Sequence, residues 1–289
     1  MSNIHTPILA CDIGGTHITS AIVSSSDWKI LSDTQVRKHV DSSSDAKSIF
    51  QSWAENILHC IERYKHSYKE HAEINRIGIA MPGPFDYEKG ISLMKNQDKY
   101  DSLYQLEVSK GIKEALNNQP VEIKYINDAA AFLQGEIFSQ QIQHEQKVLG
   151  ITLGTGLGSA VWSKGSKAFD ADLWKVKYQD SIFEEYLVTR WFTSRFKELS
   201  GHQEKGLKEI IENHSNSEAF QKLISEYRIH LKNFLDYFKQ EHDASHFIIG
   251  GNIAKAWNII GQQNSFSDYK ITLARYAEKA ALVGAASIY

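Results

Sequence analysis

The chain has 289 residues, of which 42% are apolar and 23% charged, close to the globular average and enough to bury a sizeable core. A formal net charge of -3 gives no reason to expect nucleic acid or a membrane surface as a partner. Cys11 and Cys60 are the only cysteines, which excludes a disulfide framework. No stretch of about 18 apolar residues marks a membrane span, and the opening MSNIHTP has no basic region followed by a long apolar one. A soluble cytoplasmic protein is the expectation.

Ile8–Ala10 and Thr19–Val23 read as two strands around a Gly14-Gly15 turn, with Lys29–Gln35 as a third. Ile49, Trp53, Ile57, Cys60, Ile61 and Tyr64 recur at helical spacing and predict a helix over Ala46–Tyr68. Ile77–Ala80 predicts a short buried strand, ended by Met81-Pro82-Gly83-Pro84. A helix over Val108–Leu116 and a strand over Val121–Ile126 follow. This order predicts an α/β layout with a mixed sheet.

Val148–Val161 then lines up with Ile8–Ala21 at a constant offset: Leu9 meets Leu149, Asp12 meets Thr152 and Gly14 meets Gly154. Each copy is an apolar strand, a Gly/Thr turn and a second apolar strand, which suggests a duplicated domain. The second half is mostly helical. Ile182–Leu199 predicts one helix and Lys208–Glu212 a short one. From Phe220 through Leu231 to Phe238 a wide apolar stripe marks a long helix. His246–Ile249 predicts a last strand, and Ala280, Ala281, Gly284 and Ala285 give a final helix small residues for close packing.

Three glycine loops follow strands: Gly14-Gly15-Thr16, Gly154-Thr155-Gly156-Leu157-Gly158 and Gly250-Gly251-Asn252. Glycine lets a backbone approach a ligand and lets amides converge on an anion. One such loop alone is more often a plain turn. Three, two of them related by the offset, favour a nucleotide held between two halves. Neither a Walker A loop nor a Rossmann turn fits the first, because strand and not helix follows it. Asp12 beside a phosphate-cradling turn suits a magnesium ion, which prefers oxygen ligands and often keeps its waters; a turn-capping role is the plain alternative. Asp128, after a strand and before Ala129-Ala130-Ala131, can take a proton from a substrate hydroxyl or cap the helix. His5, His39, His59, His66, His71, His202 and His214 show no metal-ligand spacing.

Together these segments resemble the ROK family of sugar kinases and sugar-responsive repressors, in the actin-like ATPase superfamily. The motifs that carry the resemblance are the Asp12–Thr16 loop, Gly78–Asp86 ("GIAMPGPFD"), Asn127-Asp128 with Gly135-Glu136, the Gly154–Gly158 loop, Gly250-Gly251 and the Ala-rich last helix. The resemblance implies a two-lobed, ribonuclease H-like α/β fold with duplicated mixed-sheet domains and a cleft between them. It divides the chain into 1–126 with a C-terminal helix at about 275–289, and 127–274. It implies ATP, magnesium and a hexose or hexose derivative as ligands, Asp128 as general base, and a homodimer. The loops at Asp12, Gly14, Gly15 and Thr16 and at Gly154, Thr155, Gly156 and Gly158 would hold phosphates, with Gly250, Gly251 and Asn252 near the adenosine. Asn96, Asn127, Asp128, Asp172, Lys175 and Glu184 would meet the sugar.

Departures from the family pattern matter too. Many members carry a zinc site of one histidine and three cysteines, and no cysteine follows Cys60 here, so no zinc is expected. The usual Gly-Glu-x-Gly-His is "ADLWK" (Ala171–Lys175), with Asp172 and Lys175 at the places of Glu and His. His17 stands where lysine is usual. A sugar sensor is the rival reading. The short stretch before Ile8 offers no room for a repressor's helix-turn-helix, and both loops and Asp128 are kept, which favours the kinase.

Overall fold

Strands β1 (Pro7–Ile13) and β2 (His17–Ser24) form an antiparallel hairpin in register Ile13 with Ile18. β3 (Val36–His39) adds to the outer edge of β2, while β4 (Arg76–Met81) and β5 (Glu122–Asn127) extend the sheet in parallel beyond β1. The order is β3-β2-β1-β4-β5. The structure, a computed structural model, describes residues 6–68, 72–97, 99–262 and 264–289; His5 and His71 lie outside them. The third strand starts after the expected Lys29–Gln35 segment. That segment makes only an isolated bridge at Ile30, with Trp28 and Asp33 in left-handed backbone conformations that strands do not use.

Period-two alternation decides the two faces of this sheet. Leu9, Cys11, Ile13, Ile18 and Ile22 share a core with Ile49, Trp53, Ile57 and Cys60 of helix α1 (Ala46–Ser67), which Asp45 caps by accepting the Ser48 N–H at 3.1 Å. α2 (Val108–Ala115) packs against α1. The other face, at Ala10 and Gly78, carries two helices, α3 (Asp128–Ser139) and α8 (Glu278–Ala286). They interlock through glycines. A Cβ on Gly135 would lie 1.8 Å from the Ala280 carbonyl oxygen, one on Gly284 1.9 Å from that of Ala131, and one on Gly78 1.9 Å from that of Ala285.

A second unit repeats the sheet. β6 (Lys147–Leu153), β7 (Leu157–Ser163) and β8 (Phe169–Asp170) are antiparallel neighbours, and β9 (His246–Gly250) and β10 (Lys270–Leu273) continue in parallel from β6. The order β8-β7-β6-β9-β10 matches the first sheet strand for strand. The expected offset holds along β1 and β6 but slips by one residue across the turn, because Leu153 pairs with Leu157 where Ile13 pairs with Ile18. Helices α4 (Phe183–Leu187), α5 (Thr189–Ser200), α6 (Leu207–His214) and α7 (Glu218–His242) belong to this unit. Phe192, Phe196, Leu231 and Phe234 fill its core against Leu149 and Ile151. The expected single helix over Ile182–Leu199 is two, broken at Val188, whose backbone is extended.

The units comprise residues 1–143 with 278–289, and residues 144–277. This boundary lies later than the expected 126/127. α3 belongs with the first sheet because its glycine and alanine face is locked to α8.

Candidate active site

Asp12 pairs with Thr19 across the hairpin and with Ala80 across the parallel strand. The turn after it is closed by the Gly14 N–H donating to the His17 carbonyl at 2.9 Å. The N–H groups of Gly15 and Thr16 have no acceptor among the described residues. Amides with no acceptor among the described residues, beside a glycine, are candidates to receive an anion. The Thr16 hydroxyl shares a hydrogen bond of 2.8 Å with His17 Nδ1. A concavity of about 180 Å³ opens here, lined by Asp12, Gly14, Thr16 and His17, with Arg37 and Glu278 at its edge. Arg37 and Glu278 form an ion pair at 3.5 Å.

Asp128 opens α3 at the C-terminal end of β5, but Asn127 caps the helix. Asn127 Oδ1 accepts the N–H groups of Ala129 at 2.8 Å and Ala130 at 3.1 Å. Its Nδ2 donates to the Tyr87 hydroxyl at 3.1 Å, and that hydroxyl donates to the Met81 carbonyl at 3.0 Å. The capping alternative for Asp128 therefore falls largely to its neighbour. Asp128 Oδ1 still accepts the Ala129 N–H at 2.8 Å, and the side chain is exposed.

The charge of Asp128 reaches Asp12. Asp12 is pushed up to about 7, first by burial and then by the charges of Asp128 and Glu278, with Arg37 pulling it down. Asp128 is also pushed upward, by crowding that strips water from it, while the Ala129 N–H and the Lys99 ammonium oppose the rise. Its open side tempers that desolvation. Such a pair of raised carboxyls is a candidate site for a cation or a proton.

In the second unit the Gly154 N–H donates to the Gly156 carbonyl at 3.2 Å, and the Gly154 carbonyl accepts the backbone N–H of Thr189 at 2.9 Å and its hydroxyl at 3.0 Å. The N–H groups of Thr155 and Gly156 have no acceptor among the described residues. Gly158 pairs with Thr152 within the sheet. Arg190 braces the loop by donating to the Thr155 carbonyl at 3.2 Å and to Glu184 at 3.0 Å. At the third loop, Gly251 has φ +91°, and a Cβ there would lie 2.2 Å from the Leu153 carbonyl oxygen. Gly250 ends β9 opposite Thr152, and Asn252 Oδ1 accepts from Lys255 Nζ at 2.8 Å.

The residues expected at the sugar are distributed as follows. Asn96 is exposed, and its backbone N–H donates to Asp101 at 3.1 Å. Asn127 is committed to its cap. Asp172 and Lys175 form an ion pair with each other. Glu184 accepts the Leu157 N–H at 2.9 Å and the Arg190 guanidinium. Among the aromatic residues of this segment, Tyr178 stacks on Phe183 with centroids 4.4 Å apart, and Phe183 meets Phe234 at 5.1 Å. Phe169 and Trp174 are exposed, at 52% and 41%, so Trp174 fills no core volume. Among the described residues no three His, Cys, Asp or Glu side chains converge as a metal cage.

A profile described as the ROK family matches residues 8–169. The chain belongs to the ROK family. An N-acetyl-D-glucosamine kinase of Mannheimia succiniciproducens is 27% identical over 154 residues, which are 53% of this chain and 45% of that protein. This chain therefore matches about half the length of that relative. In structure the chain is similar to a putative sugar kinase from Cytophaga hutchinsonii (TM-score 0.74, 17% identity, 98% of this chain and 99% of that one). It is also similar to a ROK family glucokinase from Streptomyces griseus solved with glucose and AMPPNP (TM-score 0.72, 19% identity, 98% of each chain). At these identities the likeness shows the fold, which is that of the actin-like ATPases.

Arg37, Lys99, Arg190 and Glu278 were not marked by the sequence as members of these sites. Arg37 and Lys99 sit in segments without a motif. Glu184 and Arg190 are six residues apart on two different helices, a spacing that periodicity does not pair.

Proposed function

We propose that this chain is an ATP-dependent carbohydrate kinase that phosphorylates a hydroxyl of a hexose or N-acetylhexosamine. The observation that carries the reading is Asp128, which stands at the head of α3 largely released from capping by Asn127 and acts on Asp12, the residue before a turn whose Gly15 and Thr16 amides have no acceptor among the described residues. Its elevated pKa suits a base that must accept a proton and later release it. The match to an N-acetyl-D-glucosamine kinase over about half of the chain supports the sugar class.

In this reading the acceptor hydroxyl attacks the terminal phosphorus of ATP and its proton passes to Asp128. The bond to the bridging oxygen breaks, and ADP leaves with the electron pair. The Gly15 and Thr16 amides and, in the second unit, those of Thr155 and Gly156 bind phosphate oxygens. Gly250–Asn252 lie near the adenosine. Asn96, Asp172 and Lys175 meet the sugar, and Asn127 fixes the helix that carries the base.

Asp12 fits a magnesium ion brought by the nucleotide. It is one half-buried carboxylate among like charges, and among the described residues no three-ligand cage surrounds it, so the ion would keep most of its own waters. When bound, such an ion supplies charge neutralisation to the phosphates. The reading needs no zinc.

An ADP-release screen over hexoses and N-acetylhexosamines, with elemental analysis of the same purified sample, tests the proposal. Turnover with at least one sugar and no stoichiometric zinc is the expected result. Sugar binding without any ADP release would instead make the chain a sensor.

A further inference from the structure

Tyr100 is pinned to the first glycine turn. The Tyr100 hydroxyl donates to the Gly14 carbonyl at 2.7 Å, and its backbone N–H donates to the Ser42 carbonyl at 2.8 Å. Its ring is fully buried, with its centroid 5.4 Å from that of Trp53. Tyr100 holds φ at 57°, a left-handed conformation that a bulky residue keeps only where its surroundings impose it. The chain thus bends sharply at a fixed point, and Lys99 is the residue immediately before the bend.

Lys99 is half-buried. Its stem lies over the turn: a Cβ built on Gly15 would be 3.6 Å from Lys99 Cδ. Its ammonium acts on Asp128 and draws that carboxyl back toward its ionised form. Among the described residues no carboxylate lies within ion-pairing distance of it. Arg37, the other cation acting on these acids, is already paired with Glu278. Among the described residues Lys99 is therefore a cation without an ion-pair partner, with its stem against Gly15 and its charge acting on Asp128.

On the kinase reading above, we propose that Lys99 is a catalytic cation that contacts the phosphoryl group in transit between ATP and the acceptor hydroxyl. Charge on that group is spread over three oxygens in the transition state, and a preorganised cation there needs no rearrangement when the charge develops. Lys99 keeps its proton throughout. The new bond joins the acceptor oxygen to phosphorus, the broken bond leaves its electrons on ADP, and the acceptor proton goes to Asp128.

The test compares Lys99→Met and Lys99→Arg with the wild type, using the sugar that gives the fastest ADP release. For Lys99→Met we expect kcat to fall about 100-fold, the KM for ATP to rise less than tenfold, and the sugar KM and Tm to stay unchanged. Lys99→Arg should recover much of the loss. A Lys99→Met enzyme with kcat within twofold of wild type overturns the proposal. So does a loss confined to the sugar KM, or a Lys99→Arg variant as impaired as Lys99→Met. If the wild type releases no ADP with any sugar, it is the kinase reading that has failed. Calorimetry with magnesium tripolyphosphate then still decides for Lys99: binding several-fold weaker in Lys99→Met upholds the phosphate contact, and equal binding overturns it.

Discussion

The Glu184 carboxylate accepts the Leu157 N–H at 2.9 Å, which ties the turn after the second glycine loop to the first residues of α4. Its other oxygen holds Arg190, which also reaches the Thr155 carbonyl. Both oxygens are engaged in shaping that loop. A hydrogen bond to a charged group contributes about 1.5–3 kcal/mol. Glu184→Ala should accordingly raise the KM for ATP by roughly 10-fold or more while leaving the sugar KM nearly constant. Steady-state kinetics with each substrate varied in turn checks this. A rise in the sugar KM alone would return Glu184 to sugar recognition.

Asp128→Asn should lower kcat by about 10²–10⁴-fold, the usual worth of general-base help. Tm should not fall, because the Asn127 cap of α3 is untouched. ADP release paired with thermal denaturation measures both. Near-normal turnover in this variant would remove Asp128 from the base role.

Two glycines offer contrasting substitutions. A Cβ on Gly154 meets nothing within 4 Å, whereas one on Gly251 runs into the Leu153 backbone. Gly154→Val should fold normally and lose ATP affinity, since its branched side chain occupies space left for phosphate. Sugar affinity measured without nucleotide should hardly change. Gly251→Ala should lower Tm by several degrees, from the clash and the positive φ. Equal losses of ATP and sugar affinity in Gly154→Val would point to a defect in folding.

Asp12 predicts a pH-dependent stability of unusual sign. The folded chain holds its carboxyl proton up to about pH 7, while the unfolded chain releases it near 3.8. The folded state therefore binds more protons across that window, and stability falls as pH rises through it. The difference corresponds to a ceiling of about 4 kcal/mol, reduced by solvent because the side chain is only half-buried. In magnesium-free buffer Asp12→Asn should melt several degrees above wild type at pH 8, and the gap should close toward pH 4. A constant gap at all pH values would show that the charge on Asp12 costs nothing.

Much of the architecture was legible in residue patterns. The two Gly/Thr hairpins and the helix over Ala46–Tyr68 follow from local alternation and helical spacing, and the structure repeats them closely. What escaped depends on distant partners. The break at Val188 reflects Thr189, whose N–H and hydroxyl both bind the Gly154 carbonyl and draw the chain off the helical path. The turn slip between the two hairpins concerns a single residue in two short glycine turns of similar composition. At the site, Asp12 and Asp128 stood out because each is a carboxylate at a strand end beside a local signal, a glycine turn for one and a helix start for the other. Lys99 did not, because it is placed over Gly15 by the anchoring of Tyr100, a contact between segments far apart in the chain.

The glycine interlock of α3 with α8 has a bearing on how the protein is made. On the ribosome, β1, β4 and α3 emerge early, but the helix that covers them comes only after the whole of residues 144–277 has been synthesised. The second unit is continuous in sequence and can complete its core first. The earlier-born half must wait, with the apolar surface around Ala10, Gly78 and Ala131 uncovered. Released chains truncated after residue 277 should thus resist protease across the second unit and be cut within the first, and protection of the first should appear only once α8 is present.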